Sequence, residues 1–248
     1  MGLKTGGHKT LQPRDMIIKP DNCVLACFFQ TQAEITRDYG KYNHPLTIVG
    51  NVTEQNHALL GDAMFFPVGA GYPEDVGNNY ITIPHHSSLA ITGDLTLYTE
   101  CLFTDTIANG EVMGKVNLNG LIAGPYRFTV DVEDYGWSAS LIRGNGVNFH
   151  NVVETPWFGS DYVYNIKHNI VYKMEGMTIK IFIGDALRVT GILDMMGYSM
   201  TDVGTDVWIG NVKNLSDPMQ YRGYLKKLVL WDIALPDEEC LRISKGGL

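Results

Sequence analysis

The feature that most constrains the fold is a rhythm of short β-prone runs punctuated by turn residues. Such runs fall at 24–30, 46–49, 63–67, 80–84, 95–103, 112–118, 126–133 and 138–143, and again at 162–174, 178–183, 187–190, 206–209 and 223–231. Many short strands with turn signals between them predict a β-sandwich or barrel. In 95–103, successive strand side chains alternate, so Leu95, Leu97, Thr99, Cys101 and Phe103 share one face and Thr96, Tyr98 and Glu100 the other. One of the two faces is expected to be core. Residues 177–189 read as a hairpin turning at Gly184, Asp185 and Ala186. Only 236–244 reads as a helix: Pro236 opens it, Asp237, Glu238 and Glu239 sit where the helix dipole favours negative charge, and Gly246 and Gly247 end it. No helix–strand alternation of the kind that builds a parallel sheet is present, and no internal repeat. The expectation is an all-β chain: one antiparallel two-sheet sandwich with a short C-terminal helix.

Length allows this, since 248 residues suffice for one large sandwich. Residues 1–20 mix polar and turn-forming positions without sustained periodicity and read as an N-terminal arm, either disordered or docked on a neighbour; 21–248 reads as the domain. The net charge of −8 argues against a nucleic-acid partner, because phosphate backbones are held by clustered Lys and Arg. No apolar run is long enough to cross a membrane, and the N-terminus lacks the apolar core of a secretory signal. A soluble protein made in the cytoplasm is expected. Cys23, Cys27, Cys101 and Cys240 have neither zinc-type spacing nor a disulfide framework, so free thiols are expected.

The order of segments resembles the concanavalin A-like, laminin-G-like jelly roll across 22–244. The phrases that carry the resemblance are Asp38-Tyr39-Gly40-Lys41-Tyr42-Asn43-His44 before the run at 46–49, Asn79-Tyr80-Ile81-Thr82-Ile83-Pro84, and Ser88-Leu89-Ala90-Ile91-Thr92-Gly93-Asp94-Leu95-Thr96. Later come His168-Asn169-Ile170-Val171-Tyr172, the hairpin, and Gly223 to Trp231 followed by Ala234-Leu235-Pro236-Asp237-Glu238-Glu239. Many members hold a structural calcium through an acidic residue in the first phrase and another in the last strand. Asp38 keeps the first position, but Lys226 stands where the second carboxylate is expected. The resemblance therefore implies no cofactor here, with calcium near Asp38 in doubt because of Lys226; the expectation is that the Lys226 ammonium takes the place of the ion and faces Asp38.

Hydrolytic members, the laminarinase-like glycosidases, carry Glu-x-Asp-x-x-Glu on one strand, since retaining hydrolysis needs two carboxyl groups about 5 Å apart. That motif is absent. The nearest approach is Asp131 and Glu133 on one strand face, which solvent-facing polar residues explain equally well. Aromatic residues near expected loops are Tyr135, Trp137, Trp157, Phe158, Tyr162, Tyr198 and Tyr221. Sugar rings stack on exposed aromatics, and Tyr135, Trp137, Trp157 and Tyr162 are the candidate ligand-binding residues; the competing reading packs them in the core or an oligomer interface. His85-His86 reads as a surface turn rather than a metal site, for want of further ligands at suitable spacing. No phosphate-cradling loop and no Ser-His-Asp or Cys-His arrangement can be argued from spacing. The functional expectation is non-catalytic. Domains resembling this one occur in bacteriophage virion proteins, which implies a virion structural or decoration protein with a lectin-like surface, its arm docked on other virion subunits, in an oligomer, with glycans as further partners. A stand-alone lectin and a divergent glycoside hydrolase are the alternatives.

Overall fold

The computed structural model describes residues 16–30, 36–67, 79–104, 108–115, 124–133, 136–144, 149–156, 158–159, 166–193, 199–212 and 219–248. The first half of the chain forms strands β1 (Cys23–Phe28), β2 (Thr47–Val49), β3 (Thr53–His57), β4 (Gly61–Phe66), β5 (Tyr80–Ile83), β6 (Leu95–Phe103) and β7 (Ala108–Gly114). Strands β8 (Arg127–Glu133), β9 (Gly136–Gly144), β10 (Phe149–Glu154), β11 (Phe158–Gly159), β12 (His168–Glu175), β13 (Thr178–Ile183) and β14 (Ala186–Ile192) follow. The chain closes with β15 (Val207–Ile209), β16 (Asn211–Val212), β17 (Met219–Gln220), β18 (Gly223–Trp231) and helix α1 (Asp237–Gly246). One sheet has the order β14-β13-β12-β6-β18-β4-β3, and β1 pairs the half of β18 that β4 leaves free. The other has the order β10-β9-β8-β7-β15-β5-β2, with β11 beside β9. Every pairing is antiparallel. The all-β jelly-roll sandwich with one C-terminal helix is thus the fold observed.

Strands β6, β13 and β18 occupy the spans that the sequence pattern marks. Strands β3 and β10 and the two-residue strands β11, β16 and β17 were not legible. Strand β3, Thr-Glu-Gln-Asn-His, has no buried position and is ordered by pairing along β4, where Asn56 Nδ2 donates to Asp62 Oδ1 at 2.6 Å. Strand β10 owes its place to cross-strand pairing with β9. Among the described residues the expected run at 162–174 begins only at His168.

The main core lies between the sheets: Leu97, Cys101 and Phe103 of β6 and Leu225, Leu228 and Leu230 of β18 meet Phe128, Val130, Ala139 and Leu141 of the facing sheet. Full burial of one such side chain stabilises by roughly 1.5–3 kcal/mol. The expectation of a single core face on β6 is too small, since all nine of its residues are buried. Its second face lies under a further layer, in which Tyr98, Val171, Phe182, Val229 and Trp231 pack beneath Cys240 and Ile243 of α1. Ile17 joins that layer, and the Trp231 indole Nε1 donates to the Ile18 carbonyl at 2.6 Å. Residues 16–18, read as the end of an arm, are therefore part of this packing; residues 1–15 lie outside the described ones. All four cysteines are buried and free of disulfides, and burial pushes the Cys101 thiol up to about 12.

At one flank the two sheets come close. Gly191 of β14 faces Val153 of β10, and a Cβ on Gly191 would lie 2.7 Å from both Val153 methyls. Only a residue without a side chain fits that approach.

Candidate binding site

The segment 36–46 carries the chain from β1 in one sheet to β2 in the other. It first runs antiparallel beside β1, where Tyr39 N–H donates to Ala26 O at 2.8 Å and Lys41 N–H to Cys23 O at 2.9 Å. Asp38 anchors it. Its Oδ1 accepts from Ala26 N–H at 2.8 Å and Gly40 N–H at 2.7 Å, and its Oδ2 from His44 N–H at 2.9 Å, with His44 Nδ1 at 2.7 Å. Both side chains are buried, so all the polar capacity of this carboxylate is spent inside the loop. Gly40 is required here because a Cβ would lie 2.8 Å from Asp38 Oδ1 and 2.9 Å from the β1 backbone.

The expectation that Lys226 faces Asp38 is corrected. Lys226 Nζ instead donates to the carbonyl of Leu60, in the turn between β3 and β4. His44 takes the place beside Asp38, since it is carried there by the same loop. Among the described residues no group of three or more His, Cys, Asp or Glu side chains is gathered as metal ligands.

The His44 ring then reaches the other sheet. Its Nε2 lies 2.9 Å from Ser88 Oγ, in the 3-10 turn Ser87–Leu89 that follows β5, and His86 Nδ1 lies 2.8 Å from the same oxygen. Asp38, His44 and Ser88 thus have the hydrogen-bond order of an acid, base and nucleophile, an array that separations of 6 and 44 residues hide from inspection of spacing. Nucleophilic catalysis also needs free N–H donors for the developing oxyanion. The amides beside Ser88 are engaged: Ser88 N–H with His86 Nδ1 at 3.2 Å, Leu89 N–H with His86 O at 3.0 Å, and Ala90 N–H with Ser87 O at 3.1 Å. What the array does in this geometry is pin the loop to the turn.

On that support the loop presents its other side chains outward. Tyr42 is 42% exposed, and its ring centroid is 5.4 Å from His86 and 5.7 Å from His44. Lys41 Nζ sits 5.5 Å above the Tyr42 ring, and the Arg37 guanidinium 4.7 Å above the Tyr39 ring. Arg37, Asp38, Tyr39, Gly40, Lys41 and Asn43 line a cavity of about 290 Å³. Asn43 has φ of 49°, the left-handed conformation that Asn tolerates better than most residues. His85, in the adjoining turn, is held by Lys115 Nζ at 2.8 Å and by its own N–H on Asp206 Oδ1 at 2.9 Å.

Of the ligand-binding residues expected from sequence, Tyr135, Trp157 and Tyr162 lie outside the described residues, as does Tyr198. Trp137 is placed by its backbone on β9, opposite Phe158 and Val132, and its side chain lies outside them too. The same holds for Asp131 and Glu133 on β8. Tyr221, grouped with the loop aromatics, is a core residue: it is 1% exposed and its hydroxyl donates to Tyr224 O at 2.8 Å. The Tyr42 cluster was missed because its partners come from two loops; the signal available was Tyr42 and His44 flanked by Arg37 and Lys41 in one short segment.

No known protein family and no curated protein matches this sequence. Solved structures do. The binding domain of botulinum neurotoxin DC in complex with rat synaptotagmin II superposes with a TM-score of 0.65 at 10% identity, over 91% of this chain and 51% of that one. What is shared is the fold. A structure of botulinum neurotoxin type C, whose cell entry is dependent upon interaction with two ganglioside molecules, matches with a TM-score of 0.63 at 9% identity, over 91% and 51% of the two chains. The HCR/D W1238A mutant matches with a TM-score of 0.63 at 12% identity, over 91% and 52%. This chain spans about half the length of these neighbours. No described helix is long and apolar enough to cross a membrane.

Proposed function

We propose that this chain is a non-catalytic binding domain, a lectin-like sandwich that recognises glycans through the rim formed by its loops. The observation that carries the proposal is Tyr42, exposed between Lys41 and His86 and next to the 290 Å³ cavity, on a loop held rigid by the buried Asp38–His44 pair. An aromatic face beside polar groups suits a sugar ring, whose C–H face stacks while its hydroxyls are hydrogen-bonded. The similar solved structures support the reading in that the first of them is a binding domain by name. Tyr135, Trp137, Trp157 and Tyr162 stay as the alternative candidate residues, on the aromatic argument from sequence alone. The setting we assign, a virion structural or decoration protein whose other partners are neighbouring subunits, rests on the resemblance to phage virion modules.

A glycan array probed with the full chain tests the function. Bound spots that vanish in Tyr42→Ala, with an unchanged thermal midpoint, support the Tyr42 surface; loss on Trp157→Ala or Trp137→Ala instead moves the site to the aromatic residues expected from sequence. A wild-type chain that binds no glycan ends the proposal. Sugar hydrolysis abolished by Glu133→Gln would replace it with the glycosidase alternative.

A further inference from the structure

Resting on the glycan-binding reading, we infer that the cavity beside Tyr42 selects saccharides that carry a negative charge. Six residues line the cavity, and three of them are ionisable in the range that matters: Arg37, Lys41 and Asp38. Among the described lining residues Asp38 is the only carboxylate, and its two oxygens already hold four hydrogen-bond partners from the loop itself and from β1. It has nothing left to offer Arg37 or Lys41.

Neither cation is paired elsewhere among the described residues. Each rests over an aromatic face, Arg37 over Tyr39 and Lys41 over Tyr42. A guanidinium stacked on a ring keeps its N–H edge free in its own plane, the edge that grips a carboxylate or sulfate with two parallel hydrogen bonds. An ammonium above a ring keeps its remaining N–H donors. On this chain of net charge −8 other cations do meet acidic neighbours, as Lys173 and Lys180 meet Asp237. Two cations left without such a partner on the same short loop, flanking the same cavity, form a local positive site on an acidic protein.

The size narrows the class. About 290 Å³ lies at the small end of ligand pockets, which run from roughly 300 Å³ upward, and suits one charged sugar residue rather than an extended polyanion. Exposed Asn43, in the cavity lining, offers an amide for the hydroxyls, and Tyr42, 42% exposed, stands between Lys41 and Asn43 in the chain.

The test is calorimetric titration of the full chain with three probes: lactose, lactose extended by a carboxylate-bearing sugar, and lactose carrying a sulfate ester. The expected result is that at least one anionic probe binds about tenfold or more tightly than lactose, that this preference shrinks between roughly 50 and 300 mM NaCl, and that Arg37→Met and Lys41→Met each remove it without changing the thermal midpoint. Preference for the carboxylate alone or for the sulfate alone identifies which anion the site takes. Equal binding of lactose and both anionic probes, or a preference that survives both substitutions, overturns this inference and leaves the glycan reading standing. An array on which the chain binds only neutral glycans does the same, whereas an empty array removes both.

Discussion

Asp38 and His44, six residues apart, form a buried side-chain hydrogen bond with 2.7 Å between Oδ2 and Nδ1, and through it one loop is tied to both sheets. Removing either side chain leaves buried polar groups without their hydrogen-bond partners, which typically costs about 1–3 kcal/mol. Asp38→Ala, which strips the acceptor from Ala26 N–H, Gly40 N–H and His44, is therefore expected to lower unfolding stability by about 3 kcal/mol, read from urea denaturation midpoints. His44→Ala should cost a similar amount, and the double variant clearly less than the sum, because the same interaction is lost in both. Additive losses would show that the two residues act separately.

Glu111 of β7 is fully buried, and desolvation raises its carboxyl to about 7, although the Arg127 guanidinium lies 3.0 Å away and favours the charged form. Between the ordinary Glu value and 7 the folded chain keeps a proton that the unfolded chain has released, so stability falls as pH rises through this window. The contribution is fully present below the unfolded pKa and gone above the folded one, a change of about 3 kcal/mol. Glu111→Gln cannot titrate, and its stability difference from wild type should change with pH between about 4.5 and 7 and flatten above that. A pH-independent difference across the window would contradict the assignment.

Where Gly191 meets Val153, Gly191→Ala is expected to destabilise by about 1–3 kcal/mol through overpacking. Removing the Val153 methyls makes room, so Gly191→Ala combined with Val153→Ala should be more stable than the sum of the two single losses predicts. Thermal unfolding of the four chains completes the cycle, and simple additivity would place the strain elsewhere.

Ile17 is buried on the outer face of the first sheet and Trp231 relies on Ile18 for its indole hydrogen bond. Ile17→Ala should cost about 2–4 kcal/mol. Deletion of residues 1–20 should then also lower the thermal midpoint of the sandwich; an unchanged midpoint in both variants would mean that this layer adds nothing to stability.

Much of the architecture was legible because period-two alternation and turn residues are local properties of the chain. The spans 95–103, 178–183 and 223–231 coincide with β6, β13 and β18 because each is rich in residues that suit a pleated, buried surface. β3 was illegible for the opposite reason: its exposed, polar residues carry no pattern, and only the neighbouring strand orders them.

Sequence by itself therefore determined that the chain is an antiparallel sandwich closed by a helix, since these follow from which residues prefer strand, turn and helix in what order. Tertiary structure alone decided the site. Asp38 and Ser88 meet on His44, and Tyr42 meets His86, only because the loop from β1 and the turn after β5 end at the same rim. It also decided that Lys226 points to Leu60 rather than to Asp38. Contacts between residues far apart in the chain depend on how the sheets stack, and nothing in the local pattern encodes which loops then become neighbours.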